Sequence, residues 1–176
     1  PVRDALHRLE AEGLVVVHAR RGAVIPIIDL DELHEIYEIR EALQSLAARL
    51  AAPNITDEDL ELLTRLEDEM EEASRRDDPI QWLQLDSRFH HAILQRCNRP
   101  RLMNLIKSFW NTSHHYRRAY ALAPGATMRG QALHRQMLEV LRTRDGEMLA
   151  AVVAQHLRET VRSITETHRI SPLDNP

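Results

Sequence analysis

Apolar residues recur at three- and four-residue spacing along most of this chain, the signature of amphipathic helices. The spacing changes only between residues 14 and 28. Residues 1–12 form a predicted helix with Pro1 at its start and Val2, Ala5, Leu6 and Leu9 on one face, ended by Gly13. Two short β-type runs follow, Leu14 to Val17 and Ala23 to Ile28. His18-Ala19-Arg20-Arg21-Gly22 separates them, so they read as a small hairpin with a basic tip. From Asp29 onward the pattern is helical. Asp29 or Asp31 caps a helix to about Ala52, and Thr56, with Asp59 three residues later, caps the next to about Arg76. Asp78-Pro79 opens a third helix ending near Asn98, and Arg99-Pro100 a fourth to about Leu122. After Pro124-Gly125 come helices over about 127–143 and 146–169, with Asp145 as the cap of the last. The expected fold is mainly α: an antiparallel bundle of about six helices, preceded by one helix and a two-stranded hairpin.

Four polar residues interrupt stripes that otherwise bury Leu, Ile and Val. One stripe reads Ile80, Leu83, Asp86, Phe89, His90, Ile93, Cys97; another Leu133, His134, Met137, Leu138, Leu141; the last Leu149, Val152, Val153, His156, Thr160, Ile164. Asp86 and His90 are four apart and stack on one face. His134 lies eleven residues before Asp145 and His156 eleven after it, which places them at the same height in an antiparallel pair. A single histidine in such a stripe is usually a core residue bonded to a carbonyl. Four polar groups converging are different, because each one buried without a partner costs roughly 1–3 kcal/mol. One divalent cation satisfies all four, taking neutral imidazoles and an ionised carboxylate. Zinc heads the candidates, with Ni, Mn, Co or Fe compatible with the same ligands.

Arg40 falls within the stripe Leu33, Ile36, Tyr37, Leu43, Ala47, Leu50. An inward guanidinium keeps its charge and requires an anion. That anion is either a core carboxylate such as Asp86 or Glu41, or the carboxylate of a small organic acid that also ligates the metal.

Composition narrows the class. The 176 residues suffice for one full domain and part of another, and five glycines with seven aromatic residues suit a helical fold. A formal net charge of −4 confines any nucleic-acid contact to a local patch. The single Cys97 excludes an internal disulfide, and no apolar stretch approaches the ~20 residues of a membrane helix. A cytoplasmic protein without membrane attachment is expected.

A helix followed by a two-stranded wing is the back half of a winged helix-turn-helix, so the sequence reads as truncated at its N-terminus. Arg3, in the first turn, occupies the end of a recognition helix that reaches base edges, whereas Arg20, Arg21 and Gly22 at the wing tip suit phosphates or the minor groove. Taken alone, these charges also fit an ordinary solvated surface. The run Pro1-Val2-Arg3-Asp4-Ala5-Leu6-His7-Arg8-Leu9, leading into Gly13-Leu14, resembles the recognition helix and first wing strand of GntR-superfamily transcriptional regulators. The remainder resembles the helical FCD ligand-binding domain of their FadR subgroup, through Ile39-Arg40-Glu41-Ala42-Leu43 and through Asp86-x-x-Phe89-His90, His134 and His156.

That resemblance implies a DNA-binding remnant over 1–28, a helical metal-binding, effector-binding and dimerising domain over 29–170, and a tail over 171–176. It implies operator DNA, a small carboxylate effector and a second copy of the chain as partners, and no enzymatic activity. A mononuclear metal hydrolase or oxygenase is the main rival, but it needs a non-ligand carboxylate base beside the metal, and no obvious candidate lies on these stripes. A di-iron bundle needs Glu-x-x-His, which none of the ten histidines has. His114 and His115 point about 100° apart on a helix, so at most one faces the core. His91 should point away from the site, and His7, His18, His34 and His168 read as surface residues. The acidic run Glu67 to Glu72 reads as a solvated face, and Trp82 and Trp110 as packing or dimer-contact residues.

Overall fold

The computed structural model describes residues 2–11, 15–18, 22–24 and 28–170. Helix α1 (Val2–Ala11) packs on an antiparallel hairpin of β1 (Val16–His18) and β2 (Gly22–Val24), in which Val16 pairs with Val24 and His18 with Gly22. Gly22 has φ of +76°, a left-handed conformation that glycine adopts without strain and that suits the return of a tight hairpin. On α1, Leu6 and Leu9 are half-buried while Val2 and Ala5 are exposed.

Seven helices follow. They are α2 (Leu30–Ala51), α3 (Asp57–Arg75), α4 (Pro79–Leu94), α5 (Pro100–Thr112), α6 (His114–Leu122), α7 (Ala126–Thr143) and α8 (Gly146–Ile170). Their starts are fixed by local chemistry. The Asp29 carboxylate accepts from the backbone N–H groups of Asp31 and Glu32. Thr56 and Asp59 form a reciprocal capping box, and Asp78 with Pro79 starts α4. Asp145 accepts from Met148 N–H at the start of α8. Asn98 and Arg144, both at positive φ, end a 3₁₀ turn after α4 and helix α7.

The single helix expected over 100–122 is instead two. Ser113, fully buried, breaks it: its hydroxyl bonds back to the carbonyls of Phe109 (2.7 Å) and Trp110 (3.2 Å). A serine that satisfies itself on the preceding turn competes with helix continuation. The bend turns α6 across α4, α7 and α8, closing the side of the bundle above Asp86.

Helix α2 lies along α8, α3 along α4 and α7, and α7 antiparallel to α8. Leu33, Leu63, Leu66, Met70, Trp82, Phe89, Ile93, Met137, Leu141, Leu149 and Val153 fill the space between them. Gly130 of α7 allows a close approach. A Cβ there would lie 2.9 Å from Tyr120 Oη and 3.2 Å from the Trp82 ring. Among the described residues no helix is long and apolar enough to cross a membrane.

Candidate metal centre

Asp86, His90, His134 and His156 meet in the bundle core, each buried, with one ligand atom apiece inside a 4.8 Å sphere of mutual distances. Helix α4 supplies the first two, one turn apart. The short α7–α8 connection brings the other two level, with ring centroids 4.9 Å apart. Asp86 Oδ1 is 3.4 Å from both His90 Nε2 and His134 Nε2, and the two Nε2 atoms are 3.2 Å apart. Bonds of about 2.0–2.1 Å to a tetrahedral zinc place ligand atoms roughly 3.3 Å from one another, so these separations fit the edges of a coordination polyhedron. His156 Nδ1 is buried without a hydrogen-bond partner. The cluster therefore has the composition and spacing to hold a divalent ion.

Electrostatics prepare Asp86, His90 and His156 for ligation and work against it at His134. Burial alone would push the Asp86 carboxyl up, but His90, His134 and Arg117 outweigh it and hold it well below the usual carboxylate range. Burial lowers His90, only partly opposed by Asp86, and lowers His156 well below the ordinary imidazole value, reinforced by the neighbouring histidines. Burial acts the same way on His134, yet the Asp86 and Glu67 carboxylates overcome it and raise it to about 9. A carboxylate stays ionised and two imidazoles stay neutral, whereas His134 would have to give up its proton to hold a cation.

Glu67 corrects the expectation of a solvated acidic face. Asp68 and Glu69 are exposed, but Glu67 is buried on the α3 stripe with Leu63, Leu66 and Met70. Its Oε2 lies 3.5 Å from His134 Nδ1, on the side of the ring away from the cluster, and its Oε1 3.5 Å from exposed Arg135. A carboxylate behind a ligating histidine fixes its tautomer and orientation. The Trp82 ring lies nearly parallel to His134 (16°) at 6.0 Å and holds it from the side, a packing role as expected.

Beside the four lies a cavity of about 20 Å³, room for a single water, lined by Tyr37, Arg40, Gln44, Asp86, His90, Trp110, Arg117, Tyr120, His156 and Thr160 among others. Arg40 reaches it from α2 and is 4% exposed. Neither carboxylate considered as its core partner meets it. Glu41 pairs with Arg158, and Asp86 with Arg117 (Nη2–Oδ2 3.2 Å). Arg40 instead donates to Ser113 Oγ (3.1 Å), and the Gln44 carbonyl oxygen, in the amide orientation that suits its surroundings, accepts from its Nε and Nη2 at 3.1 and 3.2 Å. The Tyr37 and Trp110 rings lie 4.5 and 5.0 Å from its guanidinium carbon. All four partners are neutral.

Sequence reasoning missed Arg117. Buried on α6, it also contacts Ser87 and lies 4.1 Å over the Trp110 ring. Tyr116, Arg117, Tyr120 and Ala121 are buried together on α6, a stripe like the one that revealed His90. Trp110 borders the cavity and contacts both cations. His114 and His115 are half-buried and outside the cluster, His91, His34 and His168 are exposed, and the side chains of His7 and His18 lie outside the described residues. Arg3 is exposed on the first turn of α1, whereas Arg20 and Arg21 lie outside the described residues.

Residues 35–159 match the FCD domain, and the chain belongs to that family. Its relatives are transcriptional regulators. The HTH-type transcriptional regulator McbR of Escherichia coli (strain K12) is 28% identical over 110 residues, which are 62% of this chain and 50% of McbR. The HTH-type transcriptional repressor RspR of the same organism is 25% identical over 168 residues, 94% of this chain and 73% of RspR. The chain thus spans half the length of one and about three quarters of the other. Among solved structures, E. coli McbR/YncC superposes with a TM-score of 0.78 at 24% identity, covering 94% of this chain and 83% of that one. A GntR family member from Pseudomonas syringae pv. tomato str. DC3000 gives 0.69 at 26%, covering 97% and 72%. The family and the mainly helical fold agree with the reading of the sequence.

Proposed function

We propose that this chain is the sensing part of a ligand-responsive, DNA-binding transcriptional regulator of the GntR type, in which residues 29–170 bind a divalent metal and a small organic acid. The observation that carries this reading is Arg40: a buried guanidinium with only neutral partners, lining the same cavity as Asp86, His90 and His156. Three imidazoles and one carboxylate leave a metal with one or two open positions, and an acid that fills them can place its carboxylate on Arg40. The relatives' regulatory names and the FCD match support the same reading. The enzyme alternative draws no support from Glu67, which backs His134 from outside the cavity.

In this reading residues 1–28 are part of a winged helix, 171–176 a tail, and the helical domain joins two copies so that paired winged helices meet inverted half-sites. Arg3 then contacts a base edge, and its loss from the full-length regulator costs about 1–3 kcal/mol with relaxed specificity. Arg20 and Arg21, beside Gly22 at the wing tip, act mainly on phosphates, so their loss weakens all sequences alike and flattens the salt dependence. Calorimetry of the metal-loaded chain with a panel of organic acids tests the sensor. One acid should bind, and Arg40→Ala should weaken it by about 1.5–3 kcal/mol, the worth of a charge-assisted hydrogen bond. Unchanged affinity in that variant removes Arg40 from the site.

A further inference from the structure

The charges buried around the cavity and the adjoining cluster do not balance. Two buried carboxylates, Asp86 and Glu67, stand against two buried guanidiniums, Arg40 and Arg117. A divalent ion on Asp86, His90, His134 and His156 then leaves two positive charges unmatched in a region nearly closed to water. Burying charge without a counter-charge is costly, so a ligand that enters is selected for its charge as well as its shape. Both cations converge on one surface, with their guanidinium carbons 5.0 and 4.1 Å from the Trp110 ring centroid. Arg40 has no anion, and Arg117 shares Asp86, whose Oδ1 faces the histidines while Oδ2 faces Arg117. A metal that draws on that carboxylate weakens its hold on Arg117.

From this, and resting on the effector reading above, we infer that the cavity selects a compact dianion: an acid with two oxyanion groups, one on the metal and the other held between Arg40 and Arg117. A free volume of about 20 Å³ holds one water, so any acid must push aside lining side chains such as Tyr37, Leu157 or Trp110, and a short molecule demands the least of that displacement. Tyr37 Oη, buried without a hydrogen-bond partner in the same wall, is available to such a ligand.

Calorimetry on the zinc-loaded chain tests this with malonate and succinate as dianions, propanoate and butanoate as their monoanionic counterparts, lactate as a monoanion able to chelate, and inorganic phosphate. At least one dicarboxylate should bind tenfold or more tightly than every monoanion, and the preference should fall below threefold in Arg117→Gln. The comparison within the unaltered chain stands even if that variant does not fold, and Arg117→Lys, which keeps the charge, should retain most of the preference. Monoanions binding as tightly as dianions would overturn the inference while leaving the effector reading intact. A dianion preference undiminished in folded Arg117→Gln would overturn the clamp. Tight binding of phosphate alone would uphold the dianion and overturn the carboxylate as its source. Failure of every acid to bind would overturn both readings together.

Discussion

The two walls of the buried cavity are built on opposite principles. On one side Asp86, His90 and His156 line the cavity and, with His134, bring one ligand atom each within 4.8 Å of one another, His134 being backed by Glu67. On the other, Arg40 is held by a serine, a glutamine and two aromatic rings, with no anion in reach among the described residues. The first wall is closed on itself and has the composition to hold a cation. The second carries a charge for which the protein offers no counterpart. In the proposed reading, placement of the two around one small space is what would distinguish a sensor from a merely structural metal site, since the unmatched side would supply free energy only when something binds.

Removing charge from either wall breaks this contrast in opposite ways. In the metal-free chain, Arg117→Met should destabilise folding by about 1–3 kcal/mol, because it leaves Asp86 Oδ2 buried without its donor while His134 still faces Oδ1. Arg40→Met removes a charge without orphaning another, so stability should stay within about 1 kcal/mol of the parent or rise. Denaturant melts of the two variants side by side provide the check, and equal losses would erase the distinction.

Added metal should act first on the cluster. At a free zinc concentration a thousandfold above its dissociation constant, the native state should gain about 4 kcal/mol, lost again on chelation. Neither the gain nor its loss should appear in His134→Ala, as followed by thermal melts with and without chelator. Gly130→Ala probes the packing that supports the same wall. The added methyl meets Tyr120 and Trp82 and should cost about 1–3 kcal/mol, weakening metal retention because Trp82 holds His134.

The smallest effect lies far from the cavity. Asp59 caps α3 and pairs with Arg96 at 2.6 Å. Burial raises its carboxyl, but Arg96 and the Thr56 backbone more than compensate, so its folded pKa lies below the unfolded value. A depressed carboxylate stabilises the fold above its unfolded pKa of about 3.9, and that contribution disappears as pH falls through the lower, folded value. Asp59→Ala should therefore cost about 1 kcal/mol at pH 7, with the gap from the parent closing below pH 4 in acid titrations.

What the sequence made legible follows the range of the interactions involved. Helix starts were readable because caps act within three residues, as at Asp29, Thr56, Pro79 and Asp145. The four-residue cluster was readable because two members share a turn and the other two are symmetric about a short connection. The break at Ser113 was not, since nothing in a serine among Asn111, Thr112, His114 and His115 signals that it bonds backward or receives Arg40. Glu67 and Arg117 were missed for a different reason. Both lie on buried stripes like those of His90, but their runs, Glu67 to Glu72 and His114 to Arg118, are so polar that composition hid the period. The partner of Arg40 depended on contacts between helices, and there the structure removed both core carboxylates, Asp86 and Glu41, from the alternatives.

The claim on which everything else depends is that Asp86, His90, His134 and His156 form one metal site. Elemental analysis of the purified chain beside His134→Ala measures it directly. We expect about one divalent transition-metal ion per native chain and close to none in the variant. Equal metal content in the two proteins would contradict the account.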